Sequence, residues 1–279
     1  MTAGRFPVVI PVQPWLVDHH FHGRVIFPAV MALCLLARST EEHYSGHNVR
    51  MMADCRLSRL LEIAPGQREI PGQIELAGGA DGTIRASLGT CKKLQKMSRT
   101  VIHCEVSFPG KSAFVEQDTV PLHPATNQAT VEIPTTQIYQ QMVPFGPAFH
   151  SLSSTLVLQE NRAWGTLQAP DPPGAGADQG PLGNPFPFDG AMHAACVHGQ
   201  HLVDFVPFPV GFASRTIVRP TRSGERYFCM VQLDERRADE LVYRLEIRDR
   251  QGLVRETING LRMRDITGGT VPSFSKKEP

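Results

Sequence analysis

Two segments far apart in the chain carry the side chains best suited to moving protons. The first reads Trp15-Leu16-Val17-Asp18-His19-His20-Phe21-His22-Gly23-Arg24-Val25-Ile26-Phe27-Pro28, and contains His-x-x-x-Gly-x-x-x-x-Pro from His19 through Gly23 to Pro28. An imidazole, with a reference pKa of about 6.5, is neutral and able to accept a proton near pH 7. Glycine lets backbone approach a ligand closely, and proline pre-sets a first helical turn whose free amides could face an incoming carbonyl. In the second segment, Phe188-Asp189-Gly190-Ala191-Met192-His193, Asp189 and His193 stand four apart and share one face of a helix. Their neighbours Ala191, Met192, Ala194, Ala195, Cys196 and Val197 are small or apolar, a setting in which an ionisable group is costly unless paired or used. Taken singly, His19 reads equally well as a hydrogen-bonded histidine at a strand end, and Asp189 as a helix-terminal carboxylate favoured by the dipole. What separates the readings is where the surrounding elements put these residues.

The elements fall into two similar orders. Pro28 to about Arg38 is apolar almost all round, which predicts a helix beginning at Pro28 and buried on every side. Segments 49–63, 69–77, 83–88 and 100–108 alternate or are β-branched and are divided by Pro-Gly and Gly-Gly-Ala-Asp-Gly turns, as antiparallel strands are. Prolines at 109, 121, 124 and 134 mark a connecting segment, 109–133. Strand-like 152–159 and 163–169, a Pro/Gly-rich loop at 170–187, a helix from about Phe188 to Phe205, and strands at 212–219, 226–233, 241–249 and 253–264 follow. Val143-Pro144-Phe145-Gly146-Pro147-Ala148-Phe149-His150 is a rigid, aromatic-flanked turn leading into the first of these later strands. The expectation is an α+β chain of two tandem hot dog units, 1–108 and 134–268, each an antiparallel sheet wrapped around a central helix, with a flexible tail at 269–279. Two such units can pair their sheets edge to edge and leave a cleft between them.

Composition narrows the function classes. A chain of 279 residues with 41% hydrophobic and 20% charged residues can bury a real core. With 28 Lys and Arg against 27 Asp and Glu, no overall field draws it to nucleic acid or an anionic membrane. Residues 1–12 do not read as a secretory signal, and no apolar run reaches the ~18 residues of a membrane span. The six cysteines form no Cys-x-x-Cys pair, which suits reduced thiols in the cytoplasm. His19, His20 and His22 do not make a convincing metal set, because adjacent residues of an extended segment point to opposite faces.

The Trp-Leu-Val-Asp-His stretch with its Gly23 and Pro28, the Phe-Gly-Pro-Ala-Phe turn, and Asp-x-x-x-His in a late helix resemble, in that order, the dehydratase domain family of polyketide synthases. The resemblance implies a double hot dog fold and a β-hydroxyacyl-thioester dehydratase. By motif, His19 would take the α-proton, Asp189 would protonate the departing β-hydroxyl, and His193 would orient Asp189. Gly23, Pro28, Phe145, Gly146 and Pro147 would position substrate or stabilise its oxyanion. Phe145 departs from the Tyr-Gly-Pro usual in the family and lacks that hydroxyl. The substrate would arrive on the phosphopantetheine of an acyl carrier protein, among other synthase components and in a chain able to form a homodimer. Carrier proteins are usually acidic, which makes Arg215, Arg219 and Arg222 candidate contacts by charge. Elimination needs a base at the α-carbon and an acid at the β-oxygen, with each contributing about 10²–10⁴-fold; it leaves the redox level unchanged, so no redox cofactor is required and no metal is expected. Isomerisation or cyclisation would reuse the same two proton carriers, and a non-catalytic acyl-binding module would use neither.

Overall fold

The computed structural model describes residues 3–94, 97–110, 129–171, 180–270 and Ser273. Its first half runs β1 (Ala3–Pro11), a 3-10 turn (Pro14–Asp18), short strands β2 (His20–Phe21) and β3 (Arg24–Ile26), helix α1 (Ala29–His43), then β4 (Met51–Leu57), β5 (Glu62–Ile63), β6 (Glu69–Gly78), β7 (Ile84–Leu94) and β8 (Met97–Phe108). The second half runs β9 (Val131–Pro134), a short α2 (Thr135–Gln137) that continues as a π turn (Ile138–Met142), a 3-10 turn (Pro147–Phe149), β10 (Leu152–Leu158), β11 (Arg162–Gln168), helix α3 (Phe186–Gln200), β12 (Phe208–Ile217), β13 (Arg226–Arg236), β14 (Glu240–Arg248) and β15 (Val254–Arg264). Most of the connecting segment and of the Pro/Gly-rich loop, residues 111–128 and 172–179, lies outside the described residues, as does most of the tail. Val131, placed in the connecting segment by the sequence, already begins β9, which pairs with β10.

Twelve strands join in one antiparallel sheet of order β1-β6-β7-β8-β4-β12-β15-β14-β13-β11-β10-β9. The seam between the halves is β4 on β12, with Phe212 opposite Cys55 and Ser214 opposite Ala53. Helix α1 packs on β6, β7 and β8, and α3 packs on β10, β11, β13 and β14. This is the double hot dog architecture.

The two helices are buried unequally. Val30, Leu33, Leu36 and Ala37 of α1 are buried, but Arg38, Glu41, Glu42 and His43 are exposed, so α1 is amphipathic and not enclosed all round as its apolar start suggests. The helix also begins one residue later than expected: Pro28 is extended and caps it, accepting the Met31 and Ala32 amides through its carbonyl. The enclosed helix is α3, in which every residue except Cys196 is buried. Its alanines, fully buried at 191, 194 and 195, permit that close approach.

No strand is read from residues 1–12 in the sequence, yet Ala3–Pro11 forms β1 across Pro7 and Pro11. Among the described residues β1 is an edge strand, paired along its length with β6, and an edge tolerates proline because its outward N–H positions have no ladder partner to lose.

Candidate active site

The spacing from His19 to Gly23 is that of a two-residue hairpin. His20 pairs with Val25 and Phe21 with Arg24, leaving His22 and Gly23 at the turn, both with positive φ (47° and 73°) as a type I′ turn requires. Gly23 is exposed, and a side chain there would meet nothing within 4 Å, so its glycine serves the turn and not a close approach by other protein atoms. The hairpin sets His19 opposite Ile26. The Ile26 N–H donates to the His19 carbonyl at 2.9 Å, and His19 Nδ1 lies 2.7 Å from the Ile26 carbonyl. A carbonyl only accepts, so Nδ1 carries the proton and Nε2 keeps its lone pair. Burial is the largest influence on this imidazole and holds it below its ordinary 6.5, with the nearby Asp189 charge acting in the other direction. The ring is therefore a neutral acceptor at pH 7.

Asp189 and His193 project from α3 on one face, both about 4% exposed. His193 Nε2 stands 3.1 Å from Asp189 Oδ2, at ion-pair distance but out of line for a hydrogen bond. On its other side His193 Nδ1 is 3.3 Å from the Tyr139 hydroxyl, which accepts the Leu152 N–H at 2.8 Å. The Tyr139 proton is thus available to Nδ1, which leaves the His193 proton on Nε2, facing the carboxyl. Tyr139 is itself buried and stacked on the His150 ring at 4.0 Å. Sequence reasoning missed Tyr139, which stands 54 residues from His193 in a segment whose periodicity carries no signal.

The two segments meet in one cavity of about 880 Å³, lined by His19 from the first half and by Asp189 and His193 from the second. Phe145 bridges them, its ring centroid 4.4 Å from that of His19 and 5.0 Å from that of His193. Gly23 and Phe145 line the cavity, whereas Pro28, Gly146 and Pro147 do not. Gly146 has another task. Its N–H donates to the Asp18 carbonyl at 2.8 Å, and the Ala148 N–H donates to Asp18 Oδ2 at 2.9 Å. A Cβ at position 146 would overlap the Asp18 carboxyl, so only glycine lets the turn seat there. Asp18, the residue before His19, thereby ties the hairpin segment to the turn that carries Phe145. It stood in the Trp-Leu-Val-Asp-His motif, but its partner became visible only with the fold.

Among the described residues no three His, Cys, Asp or Glu side chains converge as a metal-binding set. Arg215 is not available to an acidic partner: it is 2% exposed, paired with Glu256 at 2.6 Å and stacked over Phe188 at 4.3 Å. Arg219 and Arg222 are exposed. The six cysteines are free thiols, and no helix among the described residues is long and apolar enough to cross a membrane.

The fold is a double hot dog whose two halves supply an imidazole and a carboxyl to one cavity, and comparison with known proteins gives it a family. The model of the polyketide synthase dehydratase N-terminal domain matches residues 117–272, and the chain belongs to the polyketide synthase dehydratase family. No curated protein matches it significantly by sequence. Among solved structures it is similar to a trans-AT polyketide synthase dehydratase domain from Brevibacillus brevis (TM-score 0.77, 15% identity, 94% of this chain and 93% of that one). It is also similar to the dehydratase domain of the CurF module of curacin polyketide synthase (0.74, 16%, 94% and 93%) and to a bifunctional dehydratase-cyclase domain of ambruticin biosynthesis (0.70, 17%, 94% and 91%). Identities this low carry the fold and leave the chemistry to the site.

Proposed function

We propose that the protein removes water from a β-hydroxyacyl thioester presented on the phosphopantetheine arm of an acyl carrier protein, giving an α,β-enoyl thioester. The observation that carries this reading is the convergence of His19 and the Asp189–His193 pair on one cavity from opposite halves of the molecule. The His19 Nε2 lone pair takes the α-proton. Electrons move into the thioester as an enolate and then form the α,β double bond as the C–O bond breaks. Asp189 is the acid, giving a proton to the departing oxygen, and water leaves. His193, itself held by Tyr139, keeps the carboxyl turned to the reacting carbons. Amides near Gly23 and at the start of α1 are the donors we assign to the enolate oxygen; Ala29 lines the cavity there. The proton leaving His19 and the proton reloading Asp189 pass to and from water between turnovers. We place the reaction in the cytoplasm, where free thiols persist.

Incubating the protein with carrier-bound β-hydroxyacyl substrates and weighing the product tests this directly. Loss of one water mass is the expected result. An unchanged mass with altered chromatographic retention would assign isomerisation instead, and unaltered substrate would favour a module without catalysis.

A further inference from the structure

We infer that Thr90 and His103 form a second polar subsite in the same cavity, one that receives a hydrogen bond from a hydroxyl group carried on the acyl chain beyond the reacting carbons. This deepens the proposed function, on which it rests, by naming the kind of chain the cavity takes.

The subsite begins with a break in strand register. Along β7 and β8, Leu88 pairs with Cys104 but Gly89 pairs with Ile102, so His103 is an extra residue in the ladder. In a regular strand neighbouring residues face opposite sides, and a bulge re-aims one of them. Here His103 and Cys104 both line the cavity, together with Val101 and, from β7, Leu88 and Thr90. His103 is 8% exposed.

Its hydrogen bonds dictate what Thr90 can do. His103 Nδ1 is 3.2 Å from the Arg59 carbonyl, which only accepts, so Nδ1 donates there. We take Nε2 as the acceptor of the Thr90 hydroxyl, 2.8 Å away, whose hydrogen is then committed. The Thr90 oxygen retains lone pairs and offers them from the cavity wall. Such an acceptor favours a hydroxyl, which can donate, over a ketone or a methylene, which cannot. A polar pair set among Leu57, Leu88, Val101 and Cys104 is costly to desolvate without a partner, so an all-alkyl chain lying over it would be disfavoured.

The test uses length-matched carrier-bound β-hydroxyacyl substrates that either carry or lack a further hydroxyl at the δ- or ζ-carbon, with a ketone at the same position as a third member. It is paired with calorimetric binding of amide-linked acyl-pantetheine analogues that lack the β-hydroxyl and cannot eliminate. The hydroxylated member of one set is expected to be preferred about three- to tenfold, the range of one net hydrogen bond, in both kcat/KM and Kd. Thr90→Val, nearly the same shape, erases that preference, and Thr90→Ser keeps it. Equal handling of hydroxylated and alkyl chains by the wild-type protein overturns the subsite. So does a Thr90→Val effect that falls equally on both, because that would assign the donor to a pantetheine amide. Hydroxyl-selective binding without turnover upholds the subsite while sinking the dehydratase reading, and turnover without selectivity does the reverse.

Discussion

The segment carrying His19 and the helix carrying Asp189 solve one positioning problem with different materials. His19 stands at the end of a short hairpin, partly exposed to the cavity, and is held by backbone: its carbonyl and its ring both bond Ile26, and its neighbour Asp18 grips the Gly146–Ala148 turn. Asp189 instead sits on a helix buried on nearly every side and is held by side chains, His193 and behind it Tyr139. The imidazole is fixed by local ladder geometry that a few residues can encode. The carboxyl is fixed by a core that requires the whole second half to fold. Damage to the first mode should register in the contact between the halves, and damage to the second in the proton relay alone.

The largest expected effects are at the two groups proposed to react. His19→Ala and Asp189→Asn are each expected to lower kcat/KM about 10²–10⁴-fold with little change in thermal stability, measured by steady-state dehydration and by melting. A variant of either kind that retains wild-type turnover would end the site assignment. In the wild type, kcat/KM should hold as pH falls past 6.5 and decline only below it, because burial keeps His19 unprotonated to a lower pH than a free imidazole. An acid limb above 6.5 would assign the base elsewhere.

Asp18→Ala probes the backbone-held side. It removes the acceptor of the Ala148 N–H and frees the turn carrying Phe145, so kcat/KM is expected to drop roughly ten- to a hundredfold, with a loss of about 1–3 kcal/mol in chemical denaturation. Asp18→Asn, which keeps a side-chain carbonyl, should recover most of both. If Asp18→Ala impairs neither, the turn is held by its other contacts with the first half, such as Phe145 on His19 and the Gly146 N–H on the Asp18 carbonyl.

The smallest effect tests the side-chain-held acid. Tyr139→Phe deletes the hydroxyl between His193 and the Leu152 N–H, and a lost net hydrogen bond predicts a kcat about two- to tenfold lower with KM little changed. A KM effect alone would make Tyr139 a binding residue and not a positioning one.

Much of this was legible in the chain itself. Two helix-then-strands orders predicted two hot dog units, and the pattern from His19 to Pro28 sat where a hairpin feeds a helix. Local signals of that kind depend on residues within a few positions of each other. β1 lies in residues 1–12, where no strand is read from the sequence. Tyr139 and the partnership of Asp18 with Gly146 escaped because each is a contact across more than 50 residues, made by folding and unmarked by spacing. Arg215 misled for a related reason: charge on a sequence suggests a surface, and only packing reveals that Glu256 and Phe188 enclose it.

The near-total enclosure of α3 bears on how such a protein can change its substrate. A helix with neighbours on every side has little freedom to vary, since each altered side chain must be absorbed by several others at once. Another part of the cavity wall, built from β7, β8 and their bulge, can exchange residues facing the lumen while the ladder behind them stays intact. Randomised libraries confined to that wall are expected to keep most members folded and to diversify what the cavity binds, leaving α3 as the fixed half of the molecule.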